Sequence, residues 1–200
     1  MRRRPLVIVF ARVPQLGRVK TRLARGIGAL AALGFYRQTL MTILQRLARD
    51  RRWDLEIAAT PDRLAAGSWR RPAGIVVRAQ GQGDLGRRML RALRGAGRRP
   101  CAIVGCDVPD LDAAAVADAL RRLARSDVVL GPSGDGGFWL IGWRGLAPGL
   151  RRLDAVRWST PHARTDTQVQ LAGKRVELAR ELDDVDESDD LARLQLRRWL

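Results

Sequence analysis

The chain has 200 residues, of which 46% are hydrophobic and 29% are charged, and its formal net charge at pH 7 is +16. This length predicts one domain over residues 1–200 with enough apolar side chains for a core. Because no apolar run is long enough to cross a bilayer, and the arginine-rich start has only a short apolar segment, we expect a cytoplasmic protein without a membrane span.

The positive charge first suggests a polyanionic ligand such as nucleic acid. However, the basic residues are almost all arginine and are scattered in pairs such as Arg51-Arg52 and Arg121-Arg122. Only 5% of the residues are aromatic, whereas a dedicated nucleic-acid surface usually clusters its charge and interleaves aromatic side chains. Nucleic acid is therefore disfavoured as the biological ligand, and a basic binding or regulatory module without catalysis is kept as an alternative.

The first predicted strand, Pro5–Ala11, is followed by a loop over Arg12–Arg22 that is punctuated by proline and glycine. Gly17 lets the backbone approach a ligand closely, and Lys20 and Arg22 can neutralise phosphates. The loop therefore predicts a phosphate-binding segment. It lacks the Walker A pattern, and an exposed basic loop is the alternative.

Apolar residues at helical spacing predict one long helix from about Ile27 to Arg49. Two short strands follow, Leu55–Ala59 and Gly74–Val77, with a turn or short helix over Pro61–Trp69 between them. A helix over Asp84–Arg94 comes next and ends at glycine. This alternation of strands and helices indicates an α/β fold.

The segment Gly81–Gly86, GQGDLG, matches the GxGxxG pattern between a strand and a helix, so a dinucleotide-binding dehydrogenase is one alternative. Two features weaken that alternative: three residues separate the strand from the first glycine, and the unit is not the first strand and helix of the chain. The other interpretation is a loop that starts a helix and faces a nucleotide, in which Gly83 and Asp84 contribute to binding.

The apolar run Cys101–Cys106 predicts a buried central strand, with Asp107 at its carboxyl end and Pro109 stopping further pairing. In open α/β sheets, ligands bind outside the carboxyl ends of the strands, so Asp107 is well placed for a metal or for the counter-ion of a polyphosphate. A loop cap is the alternative. The two cysteines point to opposite faces of the strand, which argues against a disulfide between them.

A helix over Ala113–Ala124 and a strand over Asp127–Leu130 precede the glycine-rich loop Gly131–Gly137. The chain then returns as a strand, Phe138–Ile141, after so few residues that we expect an antiparallel neighbour and a mixed sheet. Asp135 in this loop is a candidate hydrogen-bond acceptor or general base beside a bound sugar or phosphate. A plain hairpin turn is the alternative.

Trp158-Ser159-Thr160 is interpreted as a substrate-wall aromatic with a helix cap, or as a cap alone, before a helix that opens at Thr160-Pro161 and runs to about Ala172. A late strand, Arg175–Leu178, and a final helix, Leu191–Leu200, complete the prediction. His162 is the only histidine and has no Cys or second His nearby, which makes a triad or a histidine metal site improbable.

The segment between this strand and the final helix is acidic. It contains Asp183, Asp184 and Asp186, any one of which could join Asp107 in an oxygen-ligand site for Mg²⁺ or Mn²⁺. The alternative is that this negative charge stabilises the helix that follows through its macrodipole.

Six segments, taken together and in order, resemble a bacterial family of small GT-A-type glycosyltransferase-like proteins, DUF2064, also described as radical-SAM-associated transferase 1. The family is related to nucleotidyltransferases of the molybdopterin-guanine-dinucleotide and lactyl-phosphate-guanylyl types. The segments are PQLGRVKTRL, GDLGRRM, GCDVPDL, GPSGDGGFWLIG, WST and DVDESDDL. They span nearly the whole chain.

The resemblance implies a GT-A, or nucleotide-diphospho-sugar transferase, fold with a mixed, mostly parallel sheet flanked by helices. It further implies that Gly17, Lys20 and Arg22 contact the nucleotide. Asp107 would hold a divalent metal, and Asp186 occupies the place of a second ligand. The chain departs from the pattern at Cys106 and in the ESDDL ending, and neither change removes a carboxylate.

The implied function is metal-dependent transfer from a nucleotide-activated donor to a small-molecule acceptor, with Mg²⁺ or Mn²⁺ bridging the phosphates. Lys20 would offset phosphate charge in the transition state, and Asp135 would orient or deprotonate the acceptor. Glycosyl transfer from a nucleotide-diphospho-sugar is favoured. The alternative is nucleotidyl transfer from a nucleoside triphosphate to a phosphorylated acceptor with release of pyrophosphate.

Overall fold

The structure is a computed structural model that describes residues 3–67, 69–145 and 153–197. In these ranges the strands are Leu6–Arg12 (β1), Asp54–Thr60 (β2), Val76–Ala79 (β3), Cys101–Val104 (β4), Val128–Pro132 (β5), Phe138–Trp143 (β6) and Val176–Leu178 (β7). The helices are Thr21–Ile27 (α1), Ala29–Ala48 (α2), Asp62–Ala65 (α3), Leu85–Gly95 (α4), Ala113–Arg122 (α5), Ala163–Gln170 (α6) and Ser188–Arg197 (α7). None of the helices in the described part of the chain has the length and apolar character needed to cross a membrane.

The strands form one seven-stranded sheet in the order β3-β2-β1-β4-β6-β5-β7. β6 runs antiparallel to both of its neighbours, β4 and β5, and the other neighbouring strands pair in parallel. The predicted mixed, mostly parallel α/β sheet is confirmed. The loop from β5 to β6 is too short for a parallel crossover, which requires a dozen or more residues, so β6 has to reverse direction.

Alternating side chains of β1 explain the two helical layers. Val7 and Val9 face a core that includes α2 and α5, whereas Leu6 and Ile8 face a second core that includes α4 and α6. Successive residues of a strand point to opposite faces of a sheet, so an uninterrupted apolar strand must be covered on both sides. Cys101 and Cys106 fall into these two different cores, where both are buried and free, as predicted.

A third, smaller core joins distant parts of the chain. Leu23 of α1 and Val185 of the acidic segment are both buried in it, with exposed fractions of 0% and 2%, together with Leu194 of α7. These apolar contacts bring the loop after β1 and the acidic segment to the same end of the sheet. The charged residues on either side of Leu23 and Val185 are thereby drawn together.

The helix predicted over 27–49 is divided in the structure. Gly28 has a φ of +83°, a value that residues with a Cβ rarely adopt, and it ends α1 and begins α2. The apolar periodicity continued through the break and concealed it. Similarly, Gly74 has a φ of +80° and lies in a turn, so β3 begins at Val76 rather than at Gly74.

Two later boundaries also differ from the predictions. α6 begins at Ala163, after a turn in which the Thr160 hydroxyl donates to the Arg157 carbonyl over 2.7 Å. α7 begins at Ser188 instead of Leu191, because the Asp190 carboxylate accepts hydrogen bonds from the backbone N–H groups of Asp186 and Glu187. The last three residues of the predicted final helix lie outside the described residues.

Candidate active site

Lys20 is the central cation of the site. It has a left-handed backbone conformation, with φ 47° and ψ 46°, at the residue that caps α1, and Gly17 in the preceding turn has a φ of +70°. The turn directs the lysine side chain inward, where 6% of it is exposed. Its Nζ lies 3.3 Å from Oδ2 of Asp107 and 2.5 Å from Oδ1 of Asp186. The loop predicted to bind phosphate therefore places its lysine between two carboxylates.

Asp107 follows β4 at the carboxyl edge of the sheet, as predicted. The Gly105 N–H donates to the Trp139 carbonyl over 2.8 Å, which fixes the backbone as it leaves the strand. A Cβ at position 105 would lie 2.9 Å from Oδ1 of Asp107, so a larger residue there would displace the carboxylate from its present position. The Asp107 carbonyl in turn accepts from the N–H of Val185 over 3.2 Å and ties the acidic segment to this edge.

The acidic segment brings two carboxylates to Asp107. The Leu182 N–H donates to the Pro132 carbonyl over 3.1 Å, and the Ser133 hydroxyl donates to Asp184 over 3.2 Å. Oxygen atoms of Asp107, Asp184 and Asp186 consequently lie within 4.8 Å of one another. Three carboxylates at this spacing could hold Mg²⁺ or Mn²⁺, which prefer oxygen ligands. We call these three residues the carboxylate triad.

The charges of the triad are incompletely balanced. Burial, and after it the charges of Asp107 and Asp135, raises the pKa of Asp184 to about 7. Burial also acts to raise the pKa of Asp186, but Lys20 and Arg22 outweigh it and lower that pKa below its usual range. Lys20 lowers the pKa of Asp184 but does not outweigh burial and the neighbouring carboxylates. A divalent cation would relieve the repulsion among these carboxylates, so the residues fit such an ion chemically.

Lys20 is a cation held by two members of the triad, Asp107 and Asp186. Burial by itself lowers its pKa, but the carboxylates of Asp107 and Asp186 more than compensate and raise it above the usual value. Arg22, from the first turn of α1, adds an ion pair with Asp186. Both basic residues predicted to contact phosphate are thus paired with carboxylates.

Two cavities meet at the triad. A cleft of about 670 Å³, the basic cleft, is lined by Gly17, by Asp107 and Asp186, and by the basic side chains of Arg12, Arg18, Lys20, Arg22 and Arg88. A cavity of about 500 Å³, the acidic cavity, is lined by Asp110, Asp135, Asp183, Asp184, Asp186, Glu187 and Asp190, together with Arg22 and Arg193. Arg22 and Asp186 line both. The geometry therefore offers two ligand spaces of opposite charge on either side of one candidate metal site.

Asp135 lies in the acidic cavity, at the exposed tip of the hairpin between β5 and β6. Its Oδ1 accepts from the N–H of Gly137 over 2.8 Å, which orients the carboxylate. At the next residue, Gly136, φ is +84° and a Cβ would lie 2.1 Å from the Pro161 carbonyl, so the hairpin packs closely on the segment before α6. The position of Asp135 is compatible with the predicted role toward an acceptor.

The GQGDLG segment and the residues that flank it line the basic cleft, but through side chains other than those predicted. Gln80, Leu85 and Arg88 line the cleft. Asp84 instead caps α4, where its Oδ1 accepts from the N–H of Arg87 over 2.8 Å, and Gly83 shapes the turn with a φ of +107°. The nucleotide-binding role of Gly83 and Asp84 remains a prediction.

Asp84→Ala tests which role matters at this position. Because it removes the side-chain cap of α4, we expect the free energy of unfolding in urea to fall by about 1 kcal/mol. Asp84→Ser retains a capping oxygen and should largely restore stability. If nucleotide affinity fell in both variants while stability was unchanged in Asp84→Ala, Asp84 would act on the ligand rather than on the helix.

Residues from β6 and from the segment before α6 close the basic cleft near α4. Phe138 and Ser159 line it, and the rings of Phe138 and Trp158 meet edge to face with centroids 6.2 Å apart. A Cβ at Gly86 would lie 2.9 Å from the Trp158 ring, so glycine at this position lets the aromatic side chain pack against α4. Trp158 packs behind Phe138 and is not among the described residues that line the cleft, so its role as a substrate wall remains a prediction. Thr160 makes a local capping contact, accepting from the His162 N–H over 3.3 Å.

Sequence reasoning did not select Asp184, Gln80 or Arg88. Asp184 stood among several neighbouring carboxylates, and no pattern in the sequence distinguished it. Arg88 lies within GDLGRRM, and its position four residues after the Asp84 cap places it in the first turns of α4, facing back toward the loop. A signal for Arg88 was therefore present, but the abundance of arginine concealed it.

The fold resembles several solved structures. One, from Desulfovibrio desulfuricans G20, is described as a "putative nucleotide-diphospho-sugar transferase"; it is 32% identical, has a TM-score of 0.85, and the match covers 95% of this chain and 85% of that chain. A 4-diphosphocytidyl-2C-methyl-D-erythritol synthase from Anaerococcus prevotii DSM 20548 is 9% identical, with a TM-score of 0.59 and coverage of 96% and 99%. A CMP:2-keto-3-deoxy-manno-octonic acid synthetase complexed with CTP is 12% identical, with a TM-score of 0.58 and coverage of 98% and 100%.

The two distant likenesses show the fold alone: this is a nucleotide-diphospho-sugar transferase or nucleotidyltransferase-like fold, as the sequence resemblance implied. No curated protein matches the sequence. The family model described as "Uncharacterized protein conserved in bacteria (DUF2064)" matches residues 43–160. Together with the 32% identity to the Desulfovibrio protein over nearly the whole chain, this match shows that the chain belongs to the DUF2064 family.

Proposed function

We propose that residues 1–200 form a single GT-A-like transferase domain that moves a sugar from a nucleotide-diphospho-sugar to a small-molecule acceptor. The observation that carries this proposal is the carboxylate triad with Lys20, located where the basic cleft meets the acidic cavity. The Desulfovibrio relative, described as a "putative nucleotide-diphospho-sugar transferase", supports the transferase class.

The basic cleft suits the donor. Its basic side chains attract the diphosphate, and the exposed Gly17 leaves backbone accessible to a phosphate. Mg²⁺ or Mn²⁺ held by Asp107, Asp184 and Asp186 would supply Lewis-acid stabilisation of the diphosphate leaving group. Once a divalent cation balances the carboxylates, the Lys20 ammonium is free to donate to a phosphate oxygen and to offset the charge that develops there.

The acidic cavity suits a neutral or cationic acceptor better than a phosphorylated one. Seven carboxylates line it, and its two arginines already pair with carboxylates, Arg22 with Asp186 and Arg193 with Asp190. In the proposed reaction an acceptor hydroxyl attacks the anomeric carbon as the bond from that carbon to the phosphate oxygen breaks. The hydroxyl proton passes to Asp135, and the nucleoside diphosphate leaves.

Nucleotidyl transfer is the second candidate, and the likeness of the fold to a CMP:2-keto-3-deoxy-manno-octonic acid synthetase that was solved with CTP favours it. In that reaction a phosphate of the acceptor attacks the α-phosphorus of a nucleoside triphosphate and pyrophosphate leaves. The phosphate would have to approach through the acidic cavity, and like-charge repulsion opposes this approach. We therefore place sugar transfer first.

The test is a calorimetric titration with nucleoside diphosphates, nucleotide sugars and nucleoside triphosphates, in Mn²⁺ and then in EDTA, followed by product analysis with a panel of polyols and amines. Metal-dependent binding of a nucleotide sugar and release of its nucleoside diphosphate would support sugar transfer. Preference for a triphosphate with pyrophosphate release would replace it by nucleotidyl transfer. If no nucleotide bound with any metal, the transferase proposal would be wrong.

A further inference from the structure

We propose that Arg12 and Arg88 form a second phosphate-binding subsite, on the β2 side of the basic cleft, and that Gln80 positions Arg88 for it. The subsite would bind a phosphate oxyanion through uncompensated guanidinium groups, separately from the carboxylate triad. Its assignment to a phosphate of the donor rests on the proposed function, whereas anion binding at these residues does not.

Gln80 is a rigid support. Its exposed fraction is 5%, and its backbone N–H donates to the Ala59 carbonyl over 3.0 Å. The side-chain Nε2 donates to the carbonyls of Ala11 and Ala58, over 3.2 and 2.9 Å. These two carbonyls lie near the carboxyl ends of β1 and β2, so the amide bridges the two strands. With its nitrogen used in this way, only the Oε1 of Gln80 is available to the cleft.

Gln80 presents that oxygen to Arg88. Nη1 of Arg88 donates to Oε1 of Gln80 over 2.9 Å, and Nε donates to the Asp84 carbonyl over 3.3 Å. A guanidinium has five N–H donors in a fixed planar fork, so these two contacts orient the group and leave donors available to a ligand in the cleft. Arg88 is half-buried, and it makes no ion pair with any carboxylate of the described residues.

Arg12 provides a second positive charge near the guanidinium group of Arg88. It is the last residue of β1, and the Tyr36 hydroxyl fixes its backbone by accepting from its N–H over 2.9 Å and donating to its carbonyl over 2.8 Å. Its side chain forms no ion pair within the described ranges. Burial, and after it the charge of Arg12, lowers the pKa of Arg88, and the nearby charges of Asp84 and Asp62 offset this only in part. An anion between the two guanidiniums would relieve their repulsion.

Two other cations of the cleft differ in this respect, whereas Arg18, which is exposed in the loop after β1, resembles Arg12 and Arg88 in forming no ion pair within the described residues. Lys20 pairs with Asp107 and Asp186, and Arg22 pairs with Asp186 and Glu187. Their charge is balanced before a ligand arrives, whereas that of Arg12 and Arg88 is not. A phosphate without a metal should therefore bind first at the arginine pair.

The sheet order keeps the subsite apart from the triad. Gln80 is anchored across the ends of β1 and β2, and Asp107 follows β4, which pairs with the opposite edge of β1. Phosphate binding at the arginine pair should consequently require no metal. This independence separates the subsite from the proposed catalytic centre in an experiment.

The experiment is calorimetric titration of the full chain with inorganic pyrophosphate in EDTA at low salt. Wild type should bind pyrophosphate, and Arg88→Gln should weaken the binding by about tenfold or more, as expected for loss of a charge-assisted fork contact. Arg87→Gln is the matched control, because it removes the same charge from the adjacent, exposed residue, which pairs with Asp84 and Asp154. It should retain wild-type affinity to within about twofold. Absence of binding by wild type, or equal binding by all three proteins, would overturn the subsite.

Two further variants separate positioning from folding. Arg88→Lys keeps the charge but loses the fork, so it should recover only part of the affinity. Gln80→Ala should weaken pyrophosphate binding in the wild-type background and have no further effect in the Arg88→Gln background. If Gln80 were merely structural, its removal would weaken binding by the same factor in both backgrounds, and the positioning role would be wrong.

Competition identifies the source of the phosphate. Displacement of pyrophosphate by UDP or GDP in EDTA supports a donor phosphate at the subsite. Displacement by glucose 1-phosphate but not by either nucleotide would support the subsite and contradict its assignment to the donor. Because all of these measurements omit the metal, failure of the subsite can be distinguished from failure of the proposed metal-dependent reaction.

Discussion

Asp107→Asn should reduce metal-dependent nucleotide binding by about a hundredfold or more, as expected for the loss of a charged ligand of a catalytic cation. The amide has nearly the shape of the carboxylate but lacks its charge, so the cation loses one of its three candidate ligands. Lys20 retains its contact with Asp186, and the buried core around β4 is untouched, so the fold should persist. Calorimetry with a nucleoside diphosphate in Mn²⁺, together with direct Mn²⁺ titration, measures the effect.

Asp110→Asn is the matched control for that experiment. Asp110 lies three residues later in the same loop, is exposed and lines the acidic cavity, but it is not a member of the triad. It should bind Mn²⁺ and nucleotide nearly as wild type does. If Asp107→Asn and Asp110→Asn behaved alike, general negative charge would account for the binding, and the specific role of Asp107 would be wrong.

Lys20→Met should have opposite effects on metal binding and on stability. Removal of the buried ammonium leaves Asp107 and Asp186 without their shared cation, so in EDTA the free energy of unfolding should fall by about 2 kcal/mol, less than for fully buried pairs because both carboxylates are partly exposed. Mg²⁺ or Mn²⁺ should restore most of this loss. Affinity for the metal should rise, because the lysine no longer competes for the carboxylates, while transfer should slow by about a hundredfold because the phosphate charge is less well stabilised.

Urea unfolding with and without metal checks this prediction, and Lys174→Met is its control. Lys174 is the other lysine of the chain and lies in the turn before β7, away from the triad, so its replacement should make stability no more dependent on metal than in wild type. A loss of stability in Lys20→Met that metal did not recover would show that the lysine supports the fold without occupying the cation site.

Much of the architecture was predictable because it depends on local patterns. The apolar runs at β1 and β4, the proline and glycine that follow them, and the short return from β5 to β6 were sufficient to predict a mixed α/β sheet with Asp107 at its carboxyl edge. Lys20 was recognisable as an unusual residue in an arginine-rich chain. Each of these features depends on a few neighbouring residues, so hydrophobic periodicity and turn-forming residues are enough to predict it.

The composition of the site was decided by contacts between distant segments. The buried pairing of Leu23 with Val185 selects Asp184 and Asp186, on either side of Val185, as the neighbours of Asp107 and Lys20. Asp84 becomes a helix cap and Arg88 becomes the cleft residue because α4 begins at Leu85, one residue after the cap. The sequence alone determined which kinds of residues were available and the edge of the sheet at which they gather. Only the tertiary structure decided which carboxylates share a cation and which arginines remain uncompensated, because these depend on packing across more than 150 residues of chain, as between Lys20 and Asp186.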